Sequence, residues 1–233
     1  MKIIEPSVHI LNPPDYNSVL RHIEAAARTC YQSEAKDSFP EPFIQRLIKN
    51  GHESVIEHAS ISVRFICDRG VSHELVRHRI ASYSQESTRF CNYSGDKFGS
   101  GISFIKPCFW NPESRDPEDR TQFKAWETAM RTTEDAYLYL ISRGSTPQEA
   151  RSVLPNSLKT DIVVTANIRE WRHIFKERCQ SAAHPQMRQS MIPVLGLFMD
   201  LYPVFFNDLS GLYTEGFNHF VSKGWQLAEV KNA

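Results

Sequence analysis

Short runs in which apolar and polar residues alternate predict β-strands that are buried on one face. The clearest run covers residues 59–67. Residues 1–12 alternate in a similar way, and Pro6 favours an edge strand there because proline has no N–H to donate to a neighbour. Three shorter apolar runs also predict strands, and they cover residues 90–93, 102–105 and 159–165.

Longer segments carry apolar residues three and four positions apart, which is the spacing of one face of an α-helix. Gly51 and Gly144 follow two of these segments and predict their ends, because glycine readily adopts the left-handed conformation of a helix stop. Thr146, Pro147 and Glu149 match the pattern of a capping box. The predicted helices cover residues 13–30, 41–50, 71–77, 117–143, 147–154, 167–179 and 184–201.

These elements predict the fold class. Helices outnumber strands, and the two do not alternate regularly, so a doubly wound parallel sheet is disfavoured. We expect an α+β fold in which a mixed or antiparallel sheet packs against long helices. A chain of 233 residues is long enough for one large core, and we expect residues 1–233 to form a single domain.

Composition narrows the class of protein. The 27 Lys and Arg residues balance 27 Asp and Glu residues, whereas a protein that coats nucleic acid is usually basic. The sequence has no apolar run of membrane-span length and no signal-peptide pattern at its start. Five scattered cysteines without a CxxC pair indicate reduced thiols. We therefore expect a cytoplasmic protein without a nucleic-acid or membrane partner.

The most chemically distinctive stretch is residues 77–89, Arg-His-Arg-Ile-Ala-Ser-Tyr-Ser-Gln-Glu-Ser-Thr-Arg. Its guanidinium groups suit phosphate, because a planar fork donates two parallel hydrogen bonds, and its hydroxyls and carboxamide suit a nucleobase. A solvated basic loop is the alternative interpretation. The apolar pair Leu75-Val76 before the stretch and the lack of lysine within it favour a binding site.

Other candidate sites are weaker. His52 and His58 flank two glutamates, but they are six residues apart and would not face one metal from a helix, so we expect no metal site. Cys108 is interpreted as a structural thiol. Arg172 and Arg188 are interpreted as members of surface ion pairs.

Arg77-His78-Arg79, followed after seven residues by Ser87, resembles the signature of the flavin-dependent thymidylate synthases. The resemblance extends from about Ala25 to the last helices. It implies methylation of deoxyuridine monophosphate (dUMP) at C5 to thymidylate, with FAD as cofactor, 5,10-methylenetetrahydrofolate as carbon donor and NADPH as reductant. It also implies a homotetramer whose sites are shared between subunits.

The resemblance further implies residue roles. Arg178 is expected to act as the catalytic group at the uracil edge, and His52 is expected to border the flavin. Ser87 is assigned to substrate positioning, because no base is apparent that would make it a nucleophile. The expected cofactor-binding residues are Ser54, Arg77, His78, Arg79, Gln85, Asn167, Ile168, Arg169 and His173. The expected substrate-binding residues are Glu74, Leu75, Val76, Arg77, Gln85, Glu86, Ser87, Thr88, Arg89, Arg151 and Arg178.

The sequence departs from the family at a few positions. Gln85 stands where many members carry glutamate, and Thr88 stands where some carry glycine. The segment after Arg178 is two residues longer than in some members, which leaves the geometry of residues 179–183 open. Two other functions stay open: a flavoenzyme of the same fold acting on another pyrimidine nucleotide, and a nucleotide- or RNA-binding module without catalysis.

Overall fold

The computed structural model describes residues 1–30, 32–34, 39–95 and 101–232. The strands are β1 Lys2–Ile4, β2 Ser7–Leu11, β3 Ser60–Asp68, β4 Ala81–Gln85, β5 Ser103–Ile105, β6 Lys159–Asn167 and β7 Glu229–Asn232. The α-helices are α1 Tyr16–Thr29, α2 Glu41–Lys49, α3 Arg69–Leu75, α4 Pro117–Ser142, α5 Pro147–Ala150, α6 Ile168–Arg178, α7 Pro185–Leu201, α8 Pro203–Phe206 and α9 Ser210–Lys223. Short 3₁₀ helices cover Glu53–His58, Arg151–Val153 and Asn207–Leu209.

The strands form two sheets among the described residues. Five strands are arranged in the order β4-β6-β3-β2-β7, and β1 pairs with β5. The pair β1–β5 is parallel, with Ile3 opposite Phe104. Strand β6 alternates strictly between buried and half-buried positions, which is the period of a strand that packs on one face. Helices and strands are intermixed without regular alternation, so the predicted α+β class is confirmed.

The N-terminal prediction needs a correction. Residues 1–12 form two strands and not one, because Pro6 separates β1 from β2. Strand β2 lies between β3 and β7 and is therefore not an edge strand. Proline removes one ladder hydrogen bond at its own position only, so the residues after it remain free to pair on both sides.

The stretch at residues 77–89 follows a short helix, as predicted, but the backbone within and after it differs from the prediction. Asp68 caps α3 by accepting a 2.8 Å hydrogen bond from the N–H of Val71. Residues 81–85 then form β4, a strand that the polar sequence did not predict. The strand predicted at residues 90–93 is wrong, since these residues form turns and irregular backbone. Residues 96–100, between this segment and β5, lie outside the described part of the chain.

Most helix ends follow the sequence signals. Gly51 and Gly144 adopt positive φ values of 75° and 92° directly after α2 and α4, as predicted for helix stops. The carboxylate of Glu149 accepts a 2.7 Å hydrogen bond from the N–H of Thr146, which confirms the capping box. Helices α8 and α9 follow α7 and were not predicted from the sequence. None of the described helices combines the length and the apolar composition needed to cross a membrane.

The chain divides into two compact units, and each has its own core. The first unit contains residues 1–7, 65–77 and 84–162, and its core is built from Tyr93, Ile102, Phe104, Met130, Tyr137, Ala150 and Leu158. The second unit contains residues 8–64, 78–83 and 163–233. Its core is an aromatic cluster that includes Trp171, Phe175, Phe198, Tyr202 and Phe206.

Two arginines interpreted from the sequence as surface cations are buried, each only 2% exposed. Arg172 donates to both carboxylate oxygens of Asp208 at 2.7 Å, to Glu53 and to the carbonyl of Phe205. Arg188 lies with its guanidinium 6.0 Å from the ring centre of Phe220. The pattern of charge in a sequence does not reveal that a helix face carrying arginine turns inward, and this is why the interpretation was wrong.

Candidate functional site

The first unit contains a cavity of about 460 Å³ beside α3, which we call the arginine cavity. Arg69 and His73 are four residues apart on α3 and therefore lie on the same face of that helix. Arg151, from the 3₁₀ helix after α5, also lines the cavity. The other lining residues are Thr88, Gln148, Ser152, Leu154, Pro155, Asn156 and Leu158.

The charge of the arginine cavity is one-sided. Among the lining residues that the structure describes, two are arginines, one is a histidine and none carries a carboxylate. Arg151 donates a long hydrogen bond of 3.4 Å to the hydroxyl of Thr88, and Arg69 donates one of 3.4 Å to the carbonyl of Glu86. Long bonds of this kind are weak, so both guanidinium groups are suited to bind an anion in their place.

Two residues that were expected at the site make hydrogen bonds within the first unit. The carboxamide of Gln85 donates to the hydroxyls of Ser72 at 2.9 Å and Thr160 at 3.1 Å. The carboxylate of Glu86 accepts from Lys159 at 2.6 Å and from the hydroxyl of Tyr93 at 2.8 Å. These bonds fix the backbone that leads from β4 toward Ser87 and Thr88.

The remaining expected residues of this unit differ in exposure. Arg77 and Arg89 are exposed, and the Arg89 guanidinium lies 5.3 Å from the ring centre of Phe90. The hydroxyl of Ser87 accepts a 3.3 Å hydrogen bond from the N–H of Arg89. Leu75 is buried in α3, whereas Glu74 is half-buried and Val76 is exposed. The exposed cations are available to a ligand, whereas Leu75 can contribute only its backbone.

The second unit contains a cavity of about 480 Å³ at the start of α6, which we call the histidine cavity. It is lined by Glu53, Glu57, Ile80, Asn167, Arg169, Glu170, His173 and Lys176. Asn167 caps α6 by accepting a 2.8 Å hydrogen bond from the N–H of Glu170. Arg169 pairs with Glu57 at 2.6 Å, and both side chains are exposed. Cations and carboxylates are mixed here, in contrast to the arginine cavity.

The other expected cofactor contacts of the second unit include one buried residue and three exposed ones. Ile168 is buried, and its N–H donates to the carbonyl of Ala59 at 2.9 Å. His52 and Ser54 are exposed, at the start of the 3₁₀ helix Glu53–His58. Arg79 is exposed beside the buried His78. The backbone of Ile168 is thus committed to the fold, while the exposed side chains are free for a ligand to approach.

His78 and Arg178 are directly bonded in the second unit. The Arg178 Nε–H donates to Nε2 of His78 at 2.9 Å. Because a guanidinium has no acceptor, His78 must offer a lone pair at Nε2 and is therefore neutral in this geometry. Burial, together with the positive charge of Arg178 and the ring of His173, lowers the pKa of His78 from 6.5 to about 4. Both the bonding and the pKa thus indicate a neutral imidazole at pH 7.

Two residues absent from the sequence predictions surround this pair. Glu170 is 7% exposed, and its Oε1 lies 3.7 Å from Nδ1 of His78. Tyr83 donates from its hydroxyl to the carbonyl of His78 at 2.6 Å. Burial raises the pKa of the Glu170 carboxyl, and burial together with Glu170 raises the pKa of Tyr83 to about 12. The side chains that fix His78 therefore come from both β4 and α6.

One group of side chains has the geometry of a metal site. The ligand atoms of His78, Glu170 and His173 all lie within 4.8 Å of one another. The positive charge of Arg178, which is bonded to Nε2 of His78, opposes a cation there. We assign no metal to this group, and the absence of a metal from the functional site stays a prediction.

Some signals for the missed residues are visible in the sequence. Arg69 and His73 are four apart, and Glu170 and His173 are three apart, so each pair shares a helix face. The predicted helix at 71–77 began two residues late and excluded Arg69. Tyr83 gave no such signal, because its contact with His78 depends on how the chain turns before β4.

Comparison with known proteins places the chain in a family. The family model described as "Thymidylate synthase complementing protein" (Thy1) matches residues 15–204. A flavin-dependent thymidylate synthase of Geobacter sulfurreducens is 36% identical over 195 residues, which cover 80% of each chain. One of Mycobacteroides abscessus is 34% identical over 198 residues, which cover 80% of this chain and 78% of the relative.

A solved structure has the same fold. It is the crystal structure of a UMP/dUMP methylase, PolB, from Streptomyces cacaoi, bound with 5-Br dUMP. The superposition has a TM-score of 0.73 and covers 91% of this chain and 97% of that one, at 20% sequence identity. With the matches in sequence, these similarities show that the chain belongs to the Thy1 family, the flavin-dependent thymidylate synthases.

Proposed function

We propose that residues 1–233 act as one FAD-dependent thymidylate synthase domain that methylates dUMP at C5 to dTMP. The carbon comes from 5,10-methylenetetrahydrofolate and the electrons from NADPH. The observation that carries the proposal is the one-sided charge of the arginine cavity, whose described lining contains two arginines and no carboxylate. A phosphate monoester is the ligand class that such a cavity favours, and the family membership makes a nucleotide the appropriate phosphate monoester.

The nucleotide is proposed to bind with its phosphate at Arg151 and Thr88. Glu86 and Gln85 are tied to Lys159, Tyr93, Ser72 and Thr160, so the segment 85–89 is preorganised and loses little freedom when the nucleotide binds. The other proposed nucleotide contacts are Glu74, Leu75, Val76, Arg77, Ser87, Arg89 and Arg178.

The histidine cavity has the donor set that a flavin ring requires. A flavin ring presents both donors and acceptors at its edge, and Asn167, Arg169 and His173 offer both kinds of partner. Ile80 is 71% exposed and offers an apolar surface for a flat ring. The other proposed flavin contacts are His52, Ser54, Arg77, His78, Arg79, Gln85 and Ile168. Bound reduced flavin supplies the two electrons that convert a methylene group into a methyl group.

Arg178 is proposed to act on the uracil edge. Its guanidinium keeps its positive charge at every physiological pH, and its Nε is held by His78. A fixed cation beside the pyrimidine favours the form of the ring that carries negative charge at N3 and the neighbouring oxygen. That charge increases the electron density at C5, which is the atom that bonds to the incoming carbon.

The proposed reaction uses no nucleophile from the protein. Burial raises the pKa of the Cys108 thiol to about 12 and that of Cys179 to about 12, so both stay protonated at neutral pH. The Ser87 hydroxyl accepts from the backbone N–H of Arg89, which positions it but does not remove its proton. Polarisation of the pyrimidine by Arg178 therefore replaces covalent activation in this proposal.

The proposed active form is a homotetramer in which neighbouring subunits complete each site. This rests on the family membership and on exposed apolar side chains. Phe217 and Val221 are four residues apart on α9 and are 41% and 63% exposed, and Phe90 is 78% exposed beside Arg89. Large exposed apolar groups favour burial against another protein surface.

The visible spectrum and one turnover assay test the proposed function. The purified protein should be yellow, and NADPH should bleach it in the absence of oxygen. Addition of dUMP and methylenetetrahydrofolate should then give dTMP, and no dTMP should form without NADPH. A colourless protein that binds nucleotides with a steep salt dependence would instead indicate a binding module. A yellow protein that methylates UMP and not dUMP would indicate another pyrimidine substrate.

A further inference from the structure

We propose that Glu170 is a positioning residue that holds Arg178 in its working orientation by selecting the tautomer of His78. The catalytic part of this inference rests on the role proposed above for Arg178. Within the second unit, the imidazole of His78 contacts both of the other two side chains. The carboxylate of Glu170 faces one ring nitrogen of His78, and the guanidinium of Arg178 binds the other.

The geometry fixes where the imidazole proton must be. Arg178 Nε–H lies 2.9 Å from Nε2 of His78, and a guanidinium can only donate. Nε2 must therefore be the unprotonated nitrogen, and the single proton of the neutral ring is on Nδ1. With the proton on Nε2, two N–H groups would face each other and Arg178 would lose this partner.

Glu170 favours the required tautomer electrostatically. Its Oε1 lies 3.7 Å from Nδ1, which is longer than a hydrogen bond but close enough for a carboxylate to attract an N–H dipole. Both residues are 7% exposed, so water screens the interaction little. An ionised Glu170 thus lowers the energy of the Nδ1–H form relative to the Nε2–H form.

The contacts of Tyr83 and His173 do not favour one tautomer of His78. Tyr83 donates to the backbone carbonyl of His78, and both tautomers allow this bond. His173 approaches edge-on, with ring centres 5.6 Å apart and planes at 73°. Arg178 favours the same tautomer from the other side of the ring, because its Nε–H needs the lone pair at Nε2. Glu170 is the described carboxylate that ion-pair geometry places against the ring.

The position of Glu170 on α6 is held by the helix start. Asn167 caps the helix through the N–H of Glu170, which fixes the backbone from which this carboxylate extends. Arg178 is eight residues further on the same helix, at its last turn. One rigid helix therefore carries both the residue that selects the tautomer and the residue that uses it, and His78 connects their side chains.

The tautomer can be measured directly and without turnover. Nitrogen-15 NMR of the purified flavoprotein should show His78 with a protonated Nδ1 and an unprotonated Nε2. Glu170→Gln and Glu170→Ala should shift the tautomer ratio toward Nε2–H by about tenfold, the scale of one unit of pKa. Glu177→Gln, which alters an exposed carboxylate on the same helix, should leave the ratio unchanged. A wild-type ring protonated at Nε2, or an unchanged ratio in both Glu170 variants, would overturn the proposal.

Kinetics in two backgrounds separate positioning from general damage to the fold. Glu170→Ala should lower kcat about tenfold and change KM for dUMP and flavin content by less than about twofold. In a His78→Gln background no imidazole tautomer remains to be selected, so Glu170→Ala should have no further effect. An equal loss in both backgrounds would assign Glu170 a purely structural role and overturn the proposal. If the wild type makes no dTMP, the proposed function fails, while the tautomer measurement still decides the role of Glu170.

Discussion

Arg178 and His78 are 100 residues apart in sequence and are joined by a 2.9 Å hydrogen bond from Nε to Nε2. The bond uses the one guanidinium N–H that lies nearest the aliphatic chain. In general, a planar guanidinium can make two parallel bonds to a carbonyl and a ring nitrogen.

Arg178→Ala should remove most of the catalytic power without removing the flavin. Loss of a preorganised cation or donor at a reacting group typically costs about 10²–10³ in kcat. We expect a loss of at least that size in dTMP formation, with the flavin absorbance per subunit unchanged. Arg131→Ala is the matched control, because it removes an exposed arginine that pairs with Glu127 on α4. Activity within a few-fold of wild type would refute the role of Arg178.

His78 should make the protein less stable in mild acid. Its pKa is about 4 in the folded protein and 6.5 for an ordinary histidine, as in the unfolded chain, so the unfolded chain binds the proton first as pH falls. This contribution to stability is complete above about pH 6.5 and is lost progressively as pH falls toward 4, by on the order of 3 kcal/mol in total. Urea unfolding at pH 7, 5.5 and 4.5 measures it. The pH-dependent loss should shrink in His78→Gln, and an equal slope in that variant would contradict the assignment.

The arginine cavity should bind the phosphate of the nucleotide. Arg151→Ala and Arg69→Ala should each raise KM for dUMP about 10- to 100-fold, since a charge-assisted hydrogen bond contributes about 1.5–3 kcal/mol. Deoxyuridine, which lacks the phosphate, should bind equally weakly to wild type and to both variants. Arg143→Ala, in which an exposed arginine beside Tyr139 is removed, is the control. Unchanged KM values for both variants would show that the phosphate binds elsewhere.

Neither Ser87 nor Cys108 should be essential. Ser87→Ala removes a hydroxyl that positions the substrate, and we expect a reduction of about tenfold, the scale of one hydrogen bond. Cys108→Ser should keep near wild-type activity, because burial holds the thiol protonated. Rates of dTMP formation at saturating dUMP give both numbers. Complete loss of turnover in Ser87→Ala, with nucleotide binding intact, would restore the nucleophile hypothesis.

Arg172 should matter for stability and not for chemistry. Arg172 is buried, and its removal leaves the buried carbonyl of Phe205 without this donor, which typically costs about 1–3 kcal/mol. We therefore expect Arg172→Ala to lower the free energy of unfolding by about that amount, and Asp208 and Glu53 also lose their shared cation. Denaturant unfolding tests this, with the exposed Lys176→Ala as control. A change of less than about 1 kcal/mol would mean that the pair is screened by water.

Local signals in the sequence predicted the regular elements of the fold well. The alternation at 59–67 and the helical spacing at 117–143 correspond to β3 and α4, and both glycine stops were correct. The signals failed where pairing with a strand distant in sequence determines the structure. Residues 81–85 are polar and become a strand because β6 pairs with them. The periodicity of a single chain segment cannot show such a pairing.

The sequence predicted which types of side chain form the site, but it did not predict their contacts with one another. The resemblance to the family identified His78 and Arg178 individually, yet their hydrogen bond follows from the arrangement of β4 and α6. The spacing of Glu170 and His173 alone shows that they share one face of a helix. It does not show that Glu170 lies close to His78. Arg69 was missed because the start of α3 was predicted two residues late. Sequence patterns specify faces of helices, and only the fold specifies what each face meets.

The two hydroxyls that hold Gln85 can reverse direction. Ser72 and Thr160 accept from its carboxamide here, but a hydroxyl can donate equally well to a carboxylate. Ser72 would then give up its present 3.0 Å bond to the carbonyl of Arg69. A glutamine codon becomes a glutamate codon by one base change, so lineages can exchange these two residues in a single step without rebuilding the surrounding protein.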